Sequence, residues 1–288
     1  MKKIAFLGTP SYTLPVIEFL HQKGVLKVIV SKYTKQSGRG LKLQDSDLKK
    51  FALKHSIQYI ETENINDKEE IFNLDIDCFF VFSFSQFLKE KILTFKPCYN
   101  LHLSLLPLLR GAAPVHRAIS QGMIETGWTI QKMVKKMDAG NILLQNSVPI
   151  LEEETSSQLI TKLIQDCLNF LDQFLQGYYV EKEQNEDLVT FAPLIKKEEG
   201  FLNFKEKSAV TLLNEHRAFS LWPGSFLETK LGIIKIKECF LVQKSLEDYP
   251  LRTKDGILYL HKIIPPNKKE MSPEAYFRGL KTCSDLFM

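Results

Sequence analysis

"CFFVFS" (78–83) is apolar at odd and even positions alike. A strand with one wet face would alternate, so this one is read as buried on both sides, as strands are in a parallel sheet covered by helices. The segments around it fit that sheet. "KIAFLG" (3–8) and "VLKVIV" (25–30) are short apolar runs of the same kind. Between them "YTLPVIEFLHQK" (12–23) sets Leu14, Ile17 and Leu20 at helical spacing, with Pro15 near its start. "DLKKFALKH" (47–55) and "APVHRAISQG" (113–122) read as further helices, and "SSQLITKLIQDCLNFLDQFLQG" (156–177) as one long amphipathic helix ended by Gly177. "YNLHLSLL" (99–106), "GWTIQKMV" (127–134) and "NILLQNSVPI" (141–150) read as strands. Strands alternating with helices predict a Rossmann-like α/β unit on a mostly parallel sheet. Its ligand is expected at the carboxyl ends of the strands, near a topological switch point.

The polar stretch "VEKEQNEDL" (180–188) interrupts this pattern. Beyond it "SAVTLLNEHRAF" (208–219) has the spacing of a helix. "GSFLET" (224–229), "GIIKIKECFLV" (232–242) and "GILYLHKI" (256–263) alternate as short strands, which predicts a small β-barrel. The expected organisation is a catalytic domain over 1–181, a linker over 182–200 and a β-barrel domain over 201–288. In "LWPG" (221–224), Trp222 is expected to anchor a core before a turn at Pro223-Gly224.

A chain of 288 residues is long for one domain, and 44% hydrophobic with 25% charged residues suits a globular protein. No apolar run approaches the roughly 18 residues of a membrane span. The start reads as a strand and turn, since Pro10, Pro15 and Glu18 break any signal-peptide core. Five scattered cysteines without a CxxC pair fit a reducing cytoplasm and argue against a disulfide framework or a zinc site. The six histidines have no ligand spacing, and no metal is expected. The net charge of +4 falls wholly in residues 195–288, where 13 Lys and 3 Arg meet 12 acidic residues, as suits a polyanionic partner. No GxGxxG follows the first strand and no GxxxxGK[ST] occurs, so nucleotide-dependent chemistry is not expected.

The chemistry centres on "NLHLSLLP" (100–107). On a strand Asn100 and His102 share a face, about 7 Å apart along the chain. An amide and an imidazole so placed can stabilise a developing oxyanion. Read alone, the pair is equally a polar strand end with satisfied hydrogen bonds. In "MDAGNIL" (137–143), Asp138 precedes a Gly and a strand; alone it reads as a cap or an Asx-turn. Together the three meet the needs of an amine attacking a carbonyl: an oxyanion site, a proton acceptor, and an acid to hold the histidine charged.

"NLHLSLLPLLRGAAPVHRAISQG" followed by "ETGWTIQKMVKKMDAG" resembles the folate-dependent formyltransferases. The likeness extends over nearly the whole chain, through "FLGTP", "SGRGLKLQDSDLKKFALKH", "FAPLIKKEEGFLNF", "RAFSLWPGSF" and "DGILYLHKIIPPNKKEMSPEAYFRG". It implies a Rossmann-like formyltransferase domain followed by an OB-like barrel. It also implies transfer of a formyl group from 10-formyltetrahydrofolate to the α-amine of methionine carried on initiator tRNA. Asn100 and His102 would then hold the carbonyl oxygen, and Asp138 would hold the imidazolium and accept the proton from the amine. Ser104, Leu105, Leu106 and Pro107 match the folate-contacting segment. Phe82, Ser83, Phe84 and Ser85 would line the pterin pocket, largely through backbone groups. Arg39, with Lys35 and Lys42, lies in a glycine-containing basic loop implied to enter the tRNA acceptor end. Lys196 and Lys197, with Lys235, Lys237, Lys268 and Lys269, are the implied contacts to the tRNA body. A cytoplasmic monomer is expected.

The chain departs from the family pattern at Leu103, where a small residue is usual, at Leu108 and Leu109, and at Ser83-Phe84-Ser85, where Ala-Tyr-Gly is usual. The stretch Val242 to Lys254 is short, and a barrel strand is expected to be missing there. The alternatives are a sugar-nucleotide N-formyltransferase and a non-catalytic tRNA-binding protein on the same fold. "SGRGLKL" and the "PPNKKEMSPEAYFRG" ending favour the tRNA enzyme, and the intact trio speaks against a mere binder.

Overall fold

The structure, a computed structural model, describes residues 2–33 and 45–278. Arg39, Lys35, Lys42 and Cys283 lie outside the described residues. Contacts divide the chain into two units. The first comprises Met1–Pro114, Gly127–Val148 and Thr161–Ala192; the second comprises Val115–Thr126, Pro149–Ile160 and Pro193–Met288.

One seven-stranded sheet runs β1 (Ile4–Leu7), β2 (Leu26–Ser31), β3 (Gln58–Glu61), β4 (Cys78–Val81), β5 (Cys98–His102), β6 (Glu125–Lys132) and β7 (Ile142–Pro149). Its spatial order is β3-β2-β1-β4-β5-β6-β7. The pairs from β3 across to β5 are parallel, and β6 runs antiparallel to β5. The chain leaves β1 for β2 and β3, then returns on the other side of β1 as β4. That reversal is a topological switch point, where an open α/β sheet forms a crevice beyond its strand ends. Gly8, directly after β1, marks how closely those ends meet: a Cβ there would stand 2.8 Å from the Phe82 carbonyl oxygen.

The double burial expected of "CFFVFS" holds. Ala5, Leu7, Val28, Val30, Phe79 and Val81 face one cluster, closed by Ile65, Ile71 and Ile92. Phe80, one residue on, meets Phe174 edge-on with ring centroids 5.3 Å apart. Each such fully buried side chain contributes roughly 1.5–3 kcal/mol. The helices are α1 (Leu14–Gln22), α2 (Asp47–Lys54), α3 (Glu90–Phe95), α4 (Pro114–Ser120), α5 (Ser156–Leu168) and α6 (Leu171–Gln176). The helix expected over 156–177 is therefore two. Asn169 and Phe170 donate to Asp166 and Cys167, three residues back, which tightens the turn. Phe170 then lies against Trp128, with centroids 5.3 Å apart, and Phe174 reaches Phe80. Gly177 ends α6 in the left-handed conformation (φ 76°), as its position predicts.

In the second unit β8 (Ser225–Thr229), β9 (Gly232–Phe240), β10 (Tyr249–Arg252) and β11 (Ile257–Ile264) form an antiparallel sheet in the order β10-β11-β9-β8, curled as a half-barrel. Helices α7 (Ala209–Ala218) and α8 (Pro273–Phe277) close its core of Leu212, Leu227, Ile234, Ile236, Leu258, Leu260 and Ile263. The short stretch after Val242 carries one strand, β10, at the edge of the four-stranded sheet. The core role expected of Trp222 is corrected: it is 52% exposed. The chain turns after α7 with Phe219 inward at 2% exposure, so Leu221 and Trp222 lie on the outside of the turn. Gly224, at φ 79°, closes it by donating to the Phe219 carbonyl.

Among the described residues no helix is long and apolar enough to cross a membrane. Cys78, Cys98, Cys167 and Cys239 are buried free thiols, and burial pushes that of Cys98 up to about 12.

Candidate active site

Strand β5 ends at His102, beside β6, with Asn100 opposite Gln131 and His102 opposite Thr129. The pleat sends Asn100 and His102 to one face, as their spacing predicts. The loop after β6 brings Asp138 to the same place. Asn100 Nδ2 lies 3.4 Å from Asp138 Oδ1, and His102 Nδ1 lies 3.6 Å from Asp138 Oδ2. His102 is 6% exposed and Asp138 13%, so little water screens them. Two further donors fix the carboxylate: the Gly111 N–H reaches Oδ2 at 2.9 Å and Gln131 Nε2 reaches Oδ1 at 2.9 Å. Neither was visible in the sequence pattern. Gln131 becomes a candidate only once the register sets it across from Asn100.

The other ring nitrogen of His102, Nε2, lies 2.9 Å from the Leu109 carbonyl. A carbonyl only accepts, so Nε2 carries a proton and Nδ1 is the nitrogen turned toward Asp138. Both partners of His102 are held in unusual backbone: Leu109 has φ 59° and Asp138 φ 51°. Left-handed backbone costs a non-glycine residue on the order of 1–2 kcal/mol, and such strain collects at functional sites. The neighbouring chain carries it. Leu109 donates its N–H to Thr190 Oγ1 at 2.8 Å, and Arg110 exchanges backbone hydrogen bonds with Thr190 and Ala192. Gly140, in the Asp138 loop, lies so close to the Lys132 carbonyl that a Cβ would overlap it.

The strand read over 99–106 ends at His102, so Ser104 lies in the loop beyond it. Its hydroxyl donates to the Leu108 carbonyl at 2.6 Å, inside its own loop. The loop from Ser104 to Pro107 is framed from β6 and β7. Thr129 Oγ1 donates to the Ser104 carbonyl and accepts from the Leu106 N–H, and Gln145 Nε2 donates to the Leu106 carbonyl. Leu105 packs over Gly127, where a Cβ would meet its side chain at 2.4 Å. Phe82 and Phe84 are core residues at 1% and 2% exposure, so only their backbone can face a ligand. Ser83 and Ser85 both adopt positive φ (53° and 55°), the geometry for which glycine is favoured, and the Tyr12 hydroxyl donates to Ser83 Oγ at 3.0 Å. Lys196 and Lys197 are exposed and lie in the second unit. Among the described residues no group of three or more His, Cys, Asp or Glu could hold a metal ion.

Residues 2–171 match the formyl transferase family and residues 194–281 the formyl transferase C-terminal domain, and the chain belongs to the formyl transferase family. Its relatives in that family include methionyl-tRNA formyltransferases. That of Thermotoga maritima is 38% identical over 245 residues, covering 82% of this chain and 77% of its own. That of Clostridium acetobutylicum is 30% identical, covering 97% of both. Among solved structures, the N-formyltransferase of Helicobacter canadensis, in complex with folinic acid and dTDP-3-aminofucose, superposes with a TM-score of 0.70. It covers 92% of this chain and 100% of its own at 19% identity, which shows a shared fold.

Proposed function

We propose that the protein transfers the formyl group of 10-formyltetrahydrofolate to the α-amine of methionyl initiator tRNA, giving N-formylmethionyl-tRNA for translation initiation. The observation that carries this reading is the convergence of Asn100 and His102 on the Asp138 carboxylate, within 3.6 Å. Relatives at 30–38% identity over most of their length are methionyl-tRNA formyltransferases, whereas the sugar-modifying structures share only the fold.

In the reaction the amine nitrogen attacks the formyl carbon, a C–N bond forms, and the carbonyl electron pair moves to oxygen. Asn100 donates to that oxygen through Nδ2, and His102 through Nδ1, which carries a second proton in the imidazolium form because Nε2–H is already given to the Leu109 carbonyl. Their contacts to Asp138, at 3.4 and 3.6 Å, are too long to be strong hydrogen bonds, so both donors keep capacity for another acceptor. One such donor is typically worth about 3–4 kcal/mol of barrier. Asp138 accepts the proton shed by the amine, directly or through a water. The proton passes on to N10 of the departing tetrahydrofolate as the old C–N bond breaks.

The folate lies at the switch point, between the Ser104–Pro107 loop and the backbone of Phe82–Ser85. Arg39, Lys35 and Lys42 meet the acceptor end of the tRNA. Lys196 and Lys197 hold its body, joined by Lys235 and Lys237, which alternate outward from β9 while Ile234 and Ile236 turn inward. In functional terms 1–181 carries the chemistry, 201–288 the tRNA, and 182–200 joins them, in a cytoplasmic monomer that needs no metal. The test offers 10-formyltetrahydrofolate with either charged initiator tRNA or a 4-amino sugar nucleotide. N-formylmethionine recovered after deacylation supports the reading; formylation of the sugar nucleotide alone overturns it.

A further inference from the structure

We propose that Gln184 is a positioning residue for Asp138, acting on the backbone of the loop that presents the carboxylate. The proposal rests on the formyl-transfer reading above. Asp138 sits in the left-handed region at φ 51°, and a side chain held that way needs its flanking peptides fixed. One amide fixes them: Gln184 Nε2 donates to the Asp138 carbonyl at 2.8 Å and to the Gly140 carbonyl at 2.7 Å. The two carbonyls flank Ala139, so this single NH₂ group ties the backbone on both sides of it while Gly111 and Gln131 hold the carboxylate.

The orientation of that amide is itself determined. Gln184 Oε1 accepts from Arg110 Nε at 3.0 Å and from Nη2 at 2.7 Å. A guanidinium only donates, so it dictates that the oxygen faces Arg110 and the NH₂ faces the loop. Arg110 is 1% exposed, and its Nη2 also donates to Glu186 at 2.8 Å. Glu186 in turn accepts from Lys136, at the start of the Asp138 loop. Arg110 also lies in the chain between two residues that touch the catalytic pair: the Leu109 carbonyl partners His102, and the Gly111 N–H partners Asp138. The Arg110–Gln184 pair therefore couples the segment that holds His102 to the loop that holds Asp138. Gln184 itself touches neither the carboxylate nor the imidazole; its action is on position alone.

Two near-isosteric variants test this. Gln184→Glu keeps the acceptor for Arg110 and removes the donor to the loop; Gln184→Met removes both. Each is expected to lower kcat by about 10- to 100-fold, the scale of a misplaced catalytic group, with KM for folate and for tRNA changed less than about twofold, as befits a group that binds neither. On an Asp138→Asn background neither should lower the residual rate further, since residues acting as one unit are not additive. Undiminished kcat in both variants, or a loss that multiplies in full with Asp138→Asn, overturns the proposal. Amide hydrogen exchange over 135–142 reads the same network without turnover. Faster exchange there in both variants supports it, and wild-type protection contradicts it. A wild-type enzyme that formylates no methionyl-tRNA overturns the functional reading alone, with the exchange measurement still deciding the role of Gln184.

Discussion

His102 Nδ1 stands 3.6 Å from Asp138 Oδ2, while the opposite nitrogen of the same ring is taken by the Leu109 carbonyl. The imidazole is thus anchored at Nε2 by the Leu109 carbonyl, and its Nδ1 faces the acid on the side that also gathers Asn100. Replacing the acid without disturbing its backbone isolates its chemical role. Asn tolerates the left-handed region as Asp does, so Asp138→Asn is expected to fold. Turnover should fall at least about 100-fold. The melting temperature should move by less than about 3 °C, the shift of roughly 1 kcal/mol in a chain of this size. Steady-state kinetics beside a thermal melt checks both; near-normal turnover would remove Asp138 from the proton path.

Gln131 separates activity from stability. Its Nε2 holds Asp138, but its Oε1 is buried without a hydrogen-bond partner. Gln131→Leu removes a hydrogen bond to a carboxylate, worth about 1.5–3 kcal/mol, and at the same time removes a buried unsatisfied oxygen. The expected outcome is a fall in kcat of about tenfold or more with unfolding free energy changed by less than about 1 kcal/mol. Equal losses in both would make Gln131 a core residue only.

Glu186 links the Arg110 network to acid stability. Hydrogen bonds from Arg110, then Lys136, hold its carboxyl down to about 2, from an ordinary 4.5. A depressed carboxyl stabilises the fold above its unfolded value, and that stabilisation is lost as pH falls from 4.5 toward 2. Glu186→Gln should therefore melt lower than wild type at pH 6, with the gap closing across that window. A gap independent of pH would mean that the charge does not matter.

In the second unit burial acts in the opposite sense. His216 is half-buried, its Nδ1 3.0 Å from Ser225 Oγ. Burial, helped by the Lys237 charge, lowers its pKa from 6.5 to about 4. Below pH 6.5 the unfolded chain gains a proton that the folded one refuses, so stability declines as pH falls from 6.5 to about 4. The limiting slope is about 1.4 kcal/mol per pH unit. His116, lowered to about 4 by its own burial, adds to it. Denaturant titrations at several pH values should show His216→Gln with a shallower slope than wild type; an unchanged slope would contradict the assignment.

How much of this could be read in the sequence depends on the range of the interaction. The doubly buried strands and the shared face of Asn100 and His102 follow from local periodicity, and both were legible. The turn at 169–170 was not, because the helical pattern runs through it and only the packing of Phe170 on Trp128 and Phe174 on Phe80 explains the break. Ser104 followed the alternation but lies past the strand end, where its hydroxyl serves its own loop. Trp222 followed its hydrophobicity but stands outside a turn whose inner place Phe219 already fills. Gln131 and Gln184 depend on register and on long-range contact, and a single polar residue in a strand or a charged stretch carries no local signal of either. Asp138 alone reads as ordinary turn chemistry and became a candidate only as the third member of a set with Asn100 and His102, which the resemblance then supported.

The most direct measurement is a single-turnover reaction of the purified protein, in excess, with 10-formyltetrahydrofolate and charged initiator methionyl-tRNA, run beside folded His102→Ala and Asp138→Asn. Near-stoichiometric N-formylmethionyl-tRNA is expected from the wild type, and a rate at least about 100-fold lower from each variant. No formylated tRNA from the wild type, or rates from both variants equal to it, would contradict the proposed function.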